Sequence, residues 1–395
     1  MNLVEILTAA IKKNASDVHL KAGLVPVIRK HGKLRPLEQG MAQLTSQQIE
    51  EMAMGILDEE QRRVFAHNKE IDVGYGVTGL GRFRMNIFRQ RGSVRMVIRN
   101  IPFNVPNLKE LGLPPIISQI ANGERGLILV TGVTGSGKSS TLAAMIDYIN
   151  NTQNAHILTI EDPIEFLIRD RKSIISQREL GLDTNTFSSA LKAALRQDPD
   201  VILIGEMRDR ETVEIAMTAA ETGHLVLSTL HTVDAKESIN RVLGVFEPHQ
   251  QDQMRRQLAA VLKAVISQRL ARRKDKTGFV PAVEILLNNQ RVREMIEDPI
   301  RTKDIHLAIE EGKEGWGMQS FDQSLMDLIS QDLIEYEEAL KLTNNPDDFQ
   351  LKAAGLAEGG SWHGNTGVRD QARGKWQDVA DLEIDSIRDS EEESD

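Results

Sequence analysis

The sequence contains no cysteine. This excludes disulfides, thiolate zinc sites and cysteine nucleophiles, and it suits a reducing compartment such as the cytosol. The sequence also lacks any run of about 18 apolar residues, the length that a membrane-spanning helix needs. The opening segment MNLVEILTAAIKKN has no basic stretch and carries Glu5 among its apolar residues, so we predict an amphipathic helix there rather than a signal peptide. We therefore expect a cytoplasmic protein that meets the inner face of a membrane only through partners.

Acidic residues outnumber basic ones, 58 to 48, but the excess is concentrated at one end of the chain. Residues 351–395 contain 11 acidic and 5 basic residues, so the first 350 residues carry a net charge of only −4. The acidity is thus largely a property of the C-terminal segment. For the rest of the chain, the charge neither indicates nor excludes a nucleic-acid partner.

The pattern of the chain predicts an α/β protein in four parts. Residues 1–100 combine helical segments, short strands such as DVHL and VIRK, and a final hairpin, GRFRMNIFRQRGSVRMVIRN, which together predict a small α+β domain. Residues 101–115 contain four prolines and are predicted to be a linker. Residues 116–349 are predicted to form a second domain, and residues 350–395 an acidic, mostly disordered tail. Apolar residues within the tail either form a docking motif or belong to a solvated chain (Val379, Leu382, Ile384 and Ile387).

In residues 116–349, short apolar runs alternate with helical segments. The runs are GLILVTG, HILTIED, VILIGEM, HLVLSTLHT and FVPAVEILL. This alternation predicts a parallel sheet with helices on both faces, followed by further helices from about Arg291 to Leu342. The basic cluster QRLARRKDK is predicted to be a surface turn.

The stretch VTGVTGSGKSSTL, from Val130 to Leu142, fits the pattern G-x-x-x-x-G-K-[ST] between an apolar strand and a helix. Glycines allow backbone N–H groups to surround phosphates at a helix N-terminus. Lys138 is predicted to reach the β- and γ-phosphates of ATP, and the Ser139 hydroxyl to bind Mg²⁺. The predicted nucleotide-binding residues are Gly132, Thr134, Gly135, Ser136, Gly137, Lys138, Ser139 and Ser140.

Carboxylates follow two of the apolar strands. Glu206 comes directly after VILIG, where it either contacts Mg²⁺ through water or caps the next helix. Glu161, Asp162 and Glu165 follow the strand HILTI. Hydrolysis needs a group that positions or deprotonates water, and the pattern leaves open which of these three serves.

Histidines and arginines provide the remaining candidates. His224 and His231 bracket one apolar strand, and each is either structural or a sensor of the phosphate. The hairpin near residue 90 presents a row of arginines that could be a solvated face, a nucleic-acid surface, or arginine fingers that reach a neighbouring subunit's nucleotide. These arginines are Arg82, Arg84, Arg89, Arg91, Arg95 and Arg99.

Several longer strings are more specific than a P-loop. ASDVHL, GVTGSGKSSTLAAMIDYIN, HILTIEDPIEF, LRQDPDVILIGEMRDRETVEIAMTAAETGHLVLSTLHT and GMQSFDQSL together resemble the PilT-type ATPases of the secretion superfamily, over residues 1–349. The resemblance implies a homohexamer of subunits with a PAS-like N-terminal domain and a RecA-like domain. Such a ring hydrolyses ATP with Mg²⁺ at subunit interfaces and retracts type IV pili through a PilC-type platform protein in the inner membrane, with no nucleic acid involved.

The resemblance also assigns roles. Glu165 is the expected general base, and Glu206 is the expected metal-binding carboxylate of an atypical Walker B strand. His224 and His231 correspond to the His box. Arg82, Arg84 and Arg95 fall in the region that supplies arginines to the neighbouring subunit.

Two departures from the family's pattern bear on which branch this chain represents. The retraction signature A-I-R-N-L-I-R-E corresponds here to RVREMIED, with Glu297 in place of arginine. The acidic C-terminal segment is similar to the extended C-termini of PilU, an accessory paralogue that assists retraction. An accessory ATPase that works with a sister PilT or PilU motor is therefore the alternative prediction. The absence of cysteine counts against the extension motors, which carry a four-cysteine zinc site.

Overall fold

The computed structural model describes residues 2–30, 32–38, 40–101 and 105–354 of the 395-residue chain. These residues form two compact units. The first contains Met1–Val105, Glu161–Arg169 and Gln177–Thr186, and the second contains Pro106–Ile160, Asp170–Ser176 and the chain from Phe187 onwards. Across these described ranges, every helix is too short or too polar to cross a membrane.

The first unit is built on a six-stranded sheet in the order β3-β2-β1-β6-β5-β4, in which neighbouring strands are antiparallel. Its elements are α1 (Leu3–Lys12), β1 (Asp17–Leu20), β2 (Val27–Lys30), β3 (Lys33–Pro36), α2 (Ser46–Ile56), α3 (Glu59–Asn68), β4 (Glu70–Val77), β5 (Gly81–Gln90) and β6 (Ser93–Ile101).

The predicted hairpin is formed by β5 and β6, and its residues alternate between the two faces of the sheet. Phe83, Met85 and Ile87 of β5 point into the core, whereas Arg82 and Arg84 alternate with them and point to the other face of the sheet. The predicted α+β domain is therefore confirmed. The pattern did not reveal β3, whose four residues are all exposed, or β4, whose sequence EIDVGYGV lacks a regular apolar alternation.

The second unit contains a seven-stranded sheet in the order β13-β12-β7-β11-β10-β8-β9. The four strands β7, β11, β10 and β8 run parallel, as predicted. The elements are α4 (Ile116–Ala121), β7 (Gly126–Thr131), α5 (Lys138–Thr152), β8 (His156–Glu161), β9 (Ile174–Glu179), α6 (Phe187–Ala194), β10 (Val201–Ile204), α7 (Arg210–Glu221), β11 (Leu225–Leu230), α8 (Ala235–Leu243), α9 (Pro248–Val261), β12 (Leu262–Arg272), β13 (Phe279–Leu287), α10 (Gln290–Glu297), a 3₁₀ helix (Arg301–Asp304), α11 (Ile305–Glu311), α12 (Lys313–Trp316), α13 (Phe321–Ser330), α14 (Tyr336–Leu342) and α15 (Pro346–Ala354).

One edge of this sheet differs from the prediction. β13 pairs antiparallel with β12, and β12, which was not predicted, pairs parallel with β7. Part of the predicted basic surface turn therefore lies inside β12, and this prediction was wrong for Arg269. Its guanidinium stacks 3.9 Å from the centroid of the Phe321 ring and bonds to the Leu342 carbonyl. The guanidinium is therefore half-buried and makes a cation–π contact with Phe321, unlike a side chain of a solvated surface turn.

The compact units also differ from the predicted domain boundaries. Two segments within the range 116–349 belong to the first unit, where the Glu179 carboxylate lies 2.9 Å from the Arg82 guanidinium and accepts a hydrogen bond from the backbone of Ile164. Helix α15 crosses the predicted boundary at residue 350 because Phe349 and Ala353 are buried in the core around α13. Residues 355–395, with the rest of the predicted tail and the possible docking motif, lie outside the described residues.

A buried carboxylate on β13 leads to a prediction about stability. Burial raises the pKa of Glu284 from 4.5 to about 7, with Asp234 nearby adding to the effect, although the Ala235 N–H group donates to this carboxylate. The folded chain thus holds the proton more tightly than the unfolded chain. The resulting stabilisation is complete below pH 4.5 and is lost as the pH rises towards 7, by about 2–3 kcal/mol between pH 5 and 8.

We expect the variant Glu284→Gln to lack this part of the pH dependence. The free energy of unfolding from urea titrations should fall from pH 5 to pH 8 by about 2–3 kcal/mol more in the wild type than in the variant. The wild type serves as the matched reference at each pH. The same pH dependence in both proteins would contradict the raised pKa.

Candidate nucleotide-binding site

The loop between β7 and α5 has a backbone that only glycine accommodates at key positions. Gly132, Gly135 and Gly137 have φ angles of 144°, 83° and 91°. A Cβ atom on Gly132 would lie 2.4 Å from the Gln268 carbonyl oxygen, and one on Gly137 would lie 2.8 Å from the Gln268 side-chain nitrogen. These contacts explain the glycine spacing, since strain and steric overlap exclude other residues.

The first turn of α5 is open for an anion. Gly137 precedes the helix, and among the described residues no side chain caps it, so its first N–H groups remain available for a ligand. Lys138 is buried and its ammonium donates to the carbonyls of Gly132, at 2.8 Å, and Val133, at 3.0 Å. The lysine thus folds back across the loop, where a phosphate would compete for its protons.

The other predicted loop residues surround the same space. Thr134 and Gly135 are exposed at the tip, whereas Ser139 and Ser140 are half-buried on α5. The Ser136 hydroxyl is buried without a hydrogen-bond partner within the described chain. A cavity of about 270 Å³ continues from loop residues 132–136 to Arg269, Leu270 and other side chains of the second unit.

Glu206 and His231 lie close together, as the strand order predicts. They follow the adjacent parallel strands β10 and β11, whose register pairs Ile204 with Ser228. The carboxyl ends of parallel strands meet at one edge of a sheet. The Glu206 carboxylate is 2.5 Å from Arg208 Nε and 3.4 Å from His231 Nε2, and its side chain is only 17% exposed.

The alternative in which Glu206 caps the next helix is wrong. Helix α7 is capped by Asp209, whose side chain accepts hydrogen bonds from the backbone and the hydroxyl of Thr212. Glu206 instead lines a second cavity of about 380 Å³, together with His231 and Thr232. Its carboxylate is therefore available for a ligand at the carboxyl edge of the sheet.

His224 lies away from this group. It precedes β11, at the opposite edge of the sheet, and its backbone carbonyl pairs with the N–H of Gly126 at the start of β7. A strand of six residues separates it from His231, which corresponds to about 20 Å. Its ring Nδ1 lies 2.9 Å from the Ala219 carbonyl. The described chain does not bring His224 to the loop at Gly132, so its catalytic role stays a prediction.

The three carboxylates at the end of β8 and directly after it have different surroundings within the first unit. Glu161 is half-buried and accepts a hydrogen bond from the Gln177 side chain at 3.1 Å. Asp162 and Glu165 are exposed. Glu161 is therefore hydrogen-bonded within the protein, whereas the side chains of Asp162 and Glu165 face solvent.

The predicted trans-acting arginines are held by partners within the first unit. Arg82 pairs with Glu179 at 2.9 Å. Arg84 pairs with Asp72 at 2.6 Å, and this hydrogen bond raises the pKa of the guanidinium. Arg95 lies 5.7 Å from the centroid of the Phe88 ring. Each arginine must exchange these contacts if it is to reach a nucleotide elsewhere.

Sequence reasoning missed the support beneath the loop. Gln268 of β12 is buried, and its side-chain amide oxygen accepts a hydrogen bond of 2.7 Å from the Thr141 hydroxyl of α5. A Cβ atom on Gly132 or Gly137 would also collide with Gln268, so this residue lies against both ends of the loop. No local signal marked it, because β12 itself had not been recognised.

A glycine-rich loop between a buried strand and a helix, with a carboxylate and a histidine at the carboxyl edge of a parallel sheet, defines a P-loop nucleoside triphosphatase. The match to the type II/IV secretion system protein family covers residues 2–313. The chain belongs to this family, and within it to the PilT/PilU branch.

Three similar proteins support this placement. The type IV pilus retraction ATPase PilT of Pseudomonas aeruginosa is 43% identical over 349 residues, which are 88% of this chain and 100% of that protein. The type IV pilus ATPase PilU of the same organism is 40% identical over 89% of this chain and 91% of its own length. A crystal structure of the pilus retraction motor PilT with bound ADP matches with a TM-score of 0.81 and 43% identity, over 88% of this chain and 98% of that one.

Proposed function

We propose that this chain is a motor ATPase that retracts type IV pili. The main support is a P-loop, with Glu206 and His231 at the adjoining sheet edge, in a chain that is similar to a PilT retraction ATPase along that protein's whole length. ATP binds with its phosphates on the loop residues 132–140 and its nucleoside towards the cavity at Arg269 and Leu270. The ammonium of Lys138 then exchanges its carbonyl contacts for phosphate oxygens.

The donor atoms at this edge of the sheet fit Mg²⁺. A hydroxyl on the first turn of α5, from Ser139, and a carboxylate after β10, from Glu206, are hard oxygen ligands of the kind that Mg²⁺ prefers. When bound, the ion would neutralise charge on the phosphates. Arg208 and His231 contact the Glu206 carboxylate and hold it in position.

Hydrolysis and movement are assigned to residues from two subunits of a homohexamer. Glu165 positions or deprotonates the attacking water, and His231 responds to the γ-phosphate. Arginines of one subunit, among Arg82, Arg84 and Arg95, stabilise charge on the nucleotide of the next subunit. The loss of those contacts after hydrolysis shifts one subunit relative to its neighbour.

The ring acts at the cytoplasmic face of the inner membrane, where it docks on the pilus platform protein of the PilC type.

A second candidate function is that of an accessory ATPase that supports a sister motor. It is favoured by Glu297, which is exposed at the end of α10, while Val292, Met295 and Ile296 of the same helix are buried. The departure from the retraction signature thus changes surface charge and not packing.

Imaging of fluorescently labelled pili tests the proposal. Deletion of the gene should leave persistent surface pili without retraction events, and the wild-type gene should restore retraction in a strain that lacks any sister ATPase. Restoration only when a sister ATPase is present would establish the accessory function. Normal retraction in the deletion strain that lacks the sister ATPase as well would contradict both.

A further inference from the structure

Four buried hydroxyl groups connect the segment that carries His231 to the strand that leads into the P-loop. The Thr232 and Ser238 hydroxyl oxygens are 2.6 Å apart, those of Ser238 and Thr131 are 3.4 Å apart, and those of Thr131 and Ser267 are 3.0 Å apart. We call these four residues the hydroxyl chain. All four are buried, with exposures of 2% for Thr232 and 0% for the others.

The hydroxyl chain begins where the backbone pairing ends. β11 pairs with β7 as far as Leu230 and Thr131, and β12 pairs with β7 as far as Ser267 and Thr131. Beyond these residues, the pairing of β7 with β11 and β12 does not extend to the P-loop or to the segment 231–232. Where the backbone pairing of the strands ends, hydrogen bonds between side-chain hydroxyls therefore connect the P-loop strand to the segment 231–232.

Two members of the hydroxyl chain are each one residue from a candidate site residue. Thr232 directly follows His231, and Thr131 directly precedes Gly132. Ser238 lies between them on α8 and also contacts the Asp234 carbonyl at 2.6 Å. A hydroxyl has one proton, so whenever Ser238 donates to that carbonyl or to Thr131, it accepts a hydrogen bond from Thr232.

We propose that the hydroxyl chain is a positioning device that fixes His231 relative to the P-loop. The inference rests on the proposed ATPase function, and it adds Thr232, Ser238 and Thr131 as positioning residues that act through His231 and the P-loop. A buried hydrogen-bond network restricts the geometry of the groups it joins. A displacement of about 1 Å between reacting groups lowers turnover by as much as about a hundredfold.

Threonine offers matched substitutions that separate the hydroxyl from the shape of the side chain. Thr232→Val keeps the shape and removes the hydroxyl, whereas Thr232→Ser keeps the hydroxyl and removes a methyl group. We expect Thr232→Val to lower kcat by about tenfold to a hundredfold while the affinity for a fluorescent ADP analogue stays within about twofold. Thr232→Ser should return kcat to within about threefold of the wild type.

Two further variants test whether the hydroxyls act as a unit. Thr131→Val should reduce kcat in the same way, and the Thr131→Val/Thr232→Val double variant should lose less than the product of the two single losses. Thr302→Val is the control, because Thr302 is also buried and hydrogen-bonded but belongs to the 3₁₀ helix. It should lower the unfolding midpoint and leave kcat unchanged.

Hydrogen–deuterium exchange of the full chain provides a readout that does not need turnover. Peptides covering residues 229–234 should exchange faster in Thr232→Val than in the wild type or Thr232→Ser. Unchanged exchange in these peptides, wild-type kcat in Thr232→Val, or an equal loss of kcat in Thr232→Ser would overturn the proposal. A wild-type protein without ATP turnover would instead contradict the proposed function, while the exchange experiment would still decide on the positioning role.

Discussion

Replacing Lys138 with alanine is expected to lower ATP turnover by about 10²- to 10³-fold, the size of effect seen when a preorganised charge-stabilising group is removed. The Lys138 ammonium lies inside the loop, where it donates hydrogen bonds to the Gly132 and Val133 carbonyls. It therefore needs only to exchange partners when phosphates arrive. Phosphate release measured with malachite green at saturating ATP is the appropriate assay.

A second lysine provides the control for this experiment. Lys192 is exposed and pairs with Glu211 on the surface of the second unit. Lys192→Ala removes the same charge and should leave turnover within about twofold, because exposed ion pairs contribute little. Circular dichroism should show that both variants are folded. Normal phosphate release by Lys138→Ala would remove this residue from the proposed site.

Replacing Glu165 with alanine is expected to reduce hydrolysis by about 10²- to 10⁴-fold, the usual contribution of a general base. Nucleotide affinity should remain within about threefold of the wild type, because a base acts on water and not on the bound nucleotide. Fluorescent ADP titration measures the affinity, and phosphate release measures the rate. Intact binding combined with lost hydrolysis is the result expected when a general base is removed.

The two neighbouring carboxylates are matched controls for Glu165. Asp162→Asn changes an equally exposed carboxylate and should have little effect on turnover. Glu161→Gln alters a carboxylate that accepts a hydrogen bond from Gln177, so its effect should be on the unfolding midpoint rather than on kcat. A collapse of turnover in Asp162→Asn, with normal turnover in Glu165→Ala, would transfer the role of base to Asp162.

The site could be predicted from the sequence where the signal is local. The glycine spacing identified the loop because φ angles such as 83° at Gly135 require glycine. The rule that parallel strands end at one edge brought Glu206 and His231 together. The same rule shows why His224 is separate: bracketing a strand places two residues at opposite edges of a sheet. The choice of Glu165 came from the family resemblance and not from the pattern.

The parts that could not be predicted depend on contacts between distant residues. β12 begins at Leu262, directly after α9 ends at Val261, with neither glycine nor proline at the junction to mark the change. Gln268 supports the P-loop through Thr141, a residue 127 positions earlier in the chain. Likewise, the segment that contains Glu179 belongs to the first unit, where Glu179 forms an ion pair with Arg82. No local sequence pattern predicts a pairing between residues so far apart in the chain.

The dependence of ATP turnover on assembly tests the central claim most directly. Mass photometry and phosphate release should be measured on the same samples over a range of protein concentrations, with and without nucleotide. If arginines of one subunit complete the site of the next, turnover per subunit should rise in proportion to the fraction of hexamer and fall towards zero in dilute monomer. Full turnover by a protein that remains monomeric under all these conditions would contradict the account.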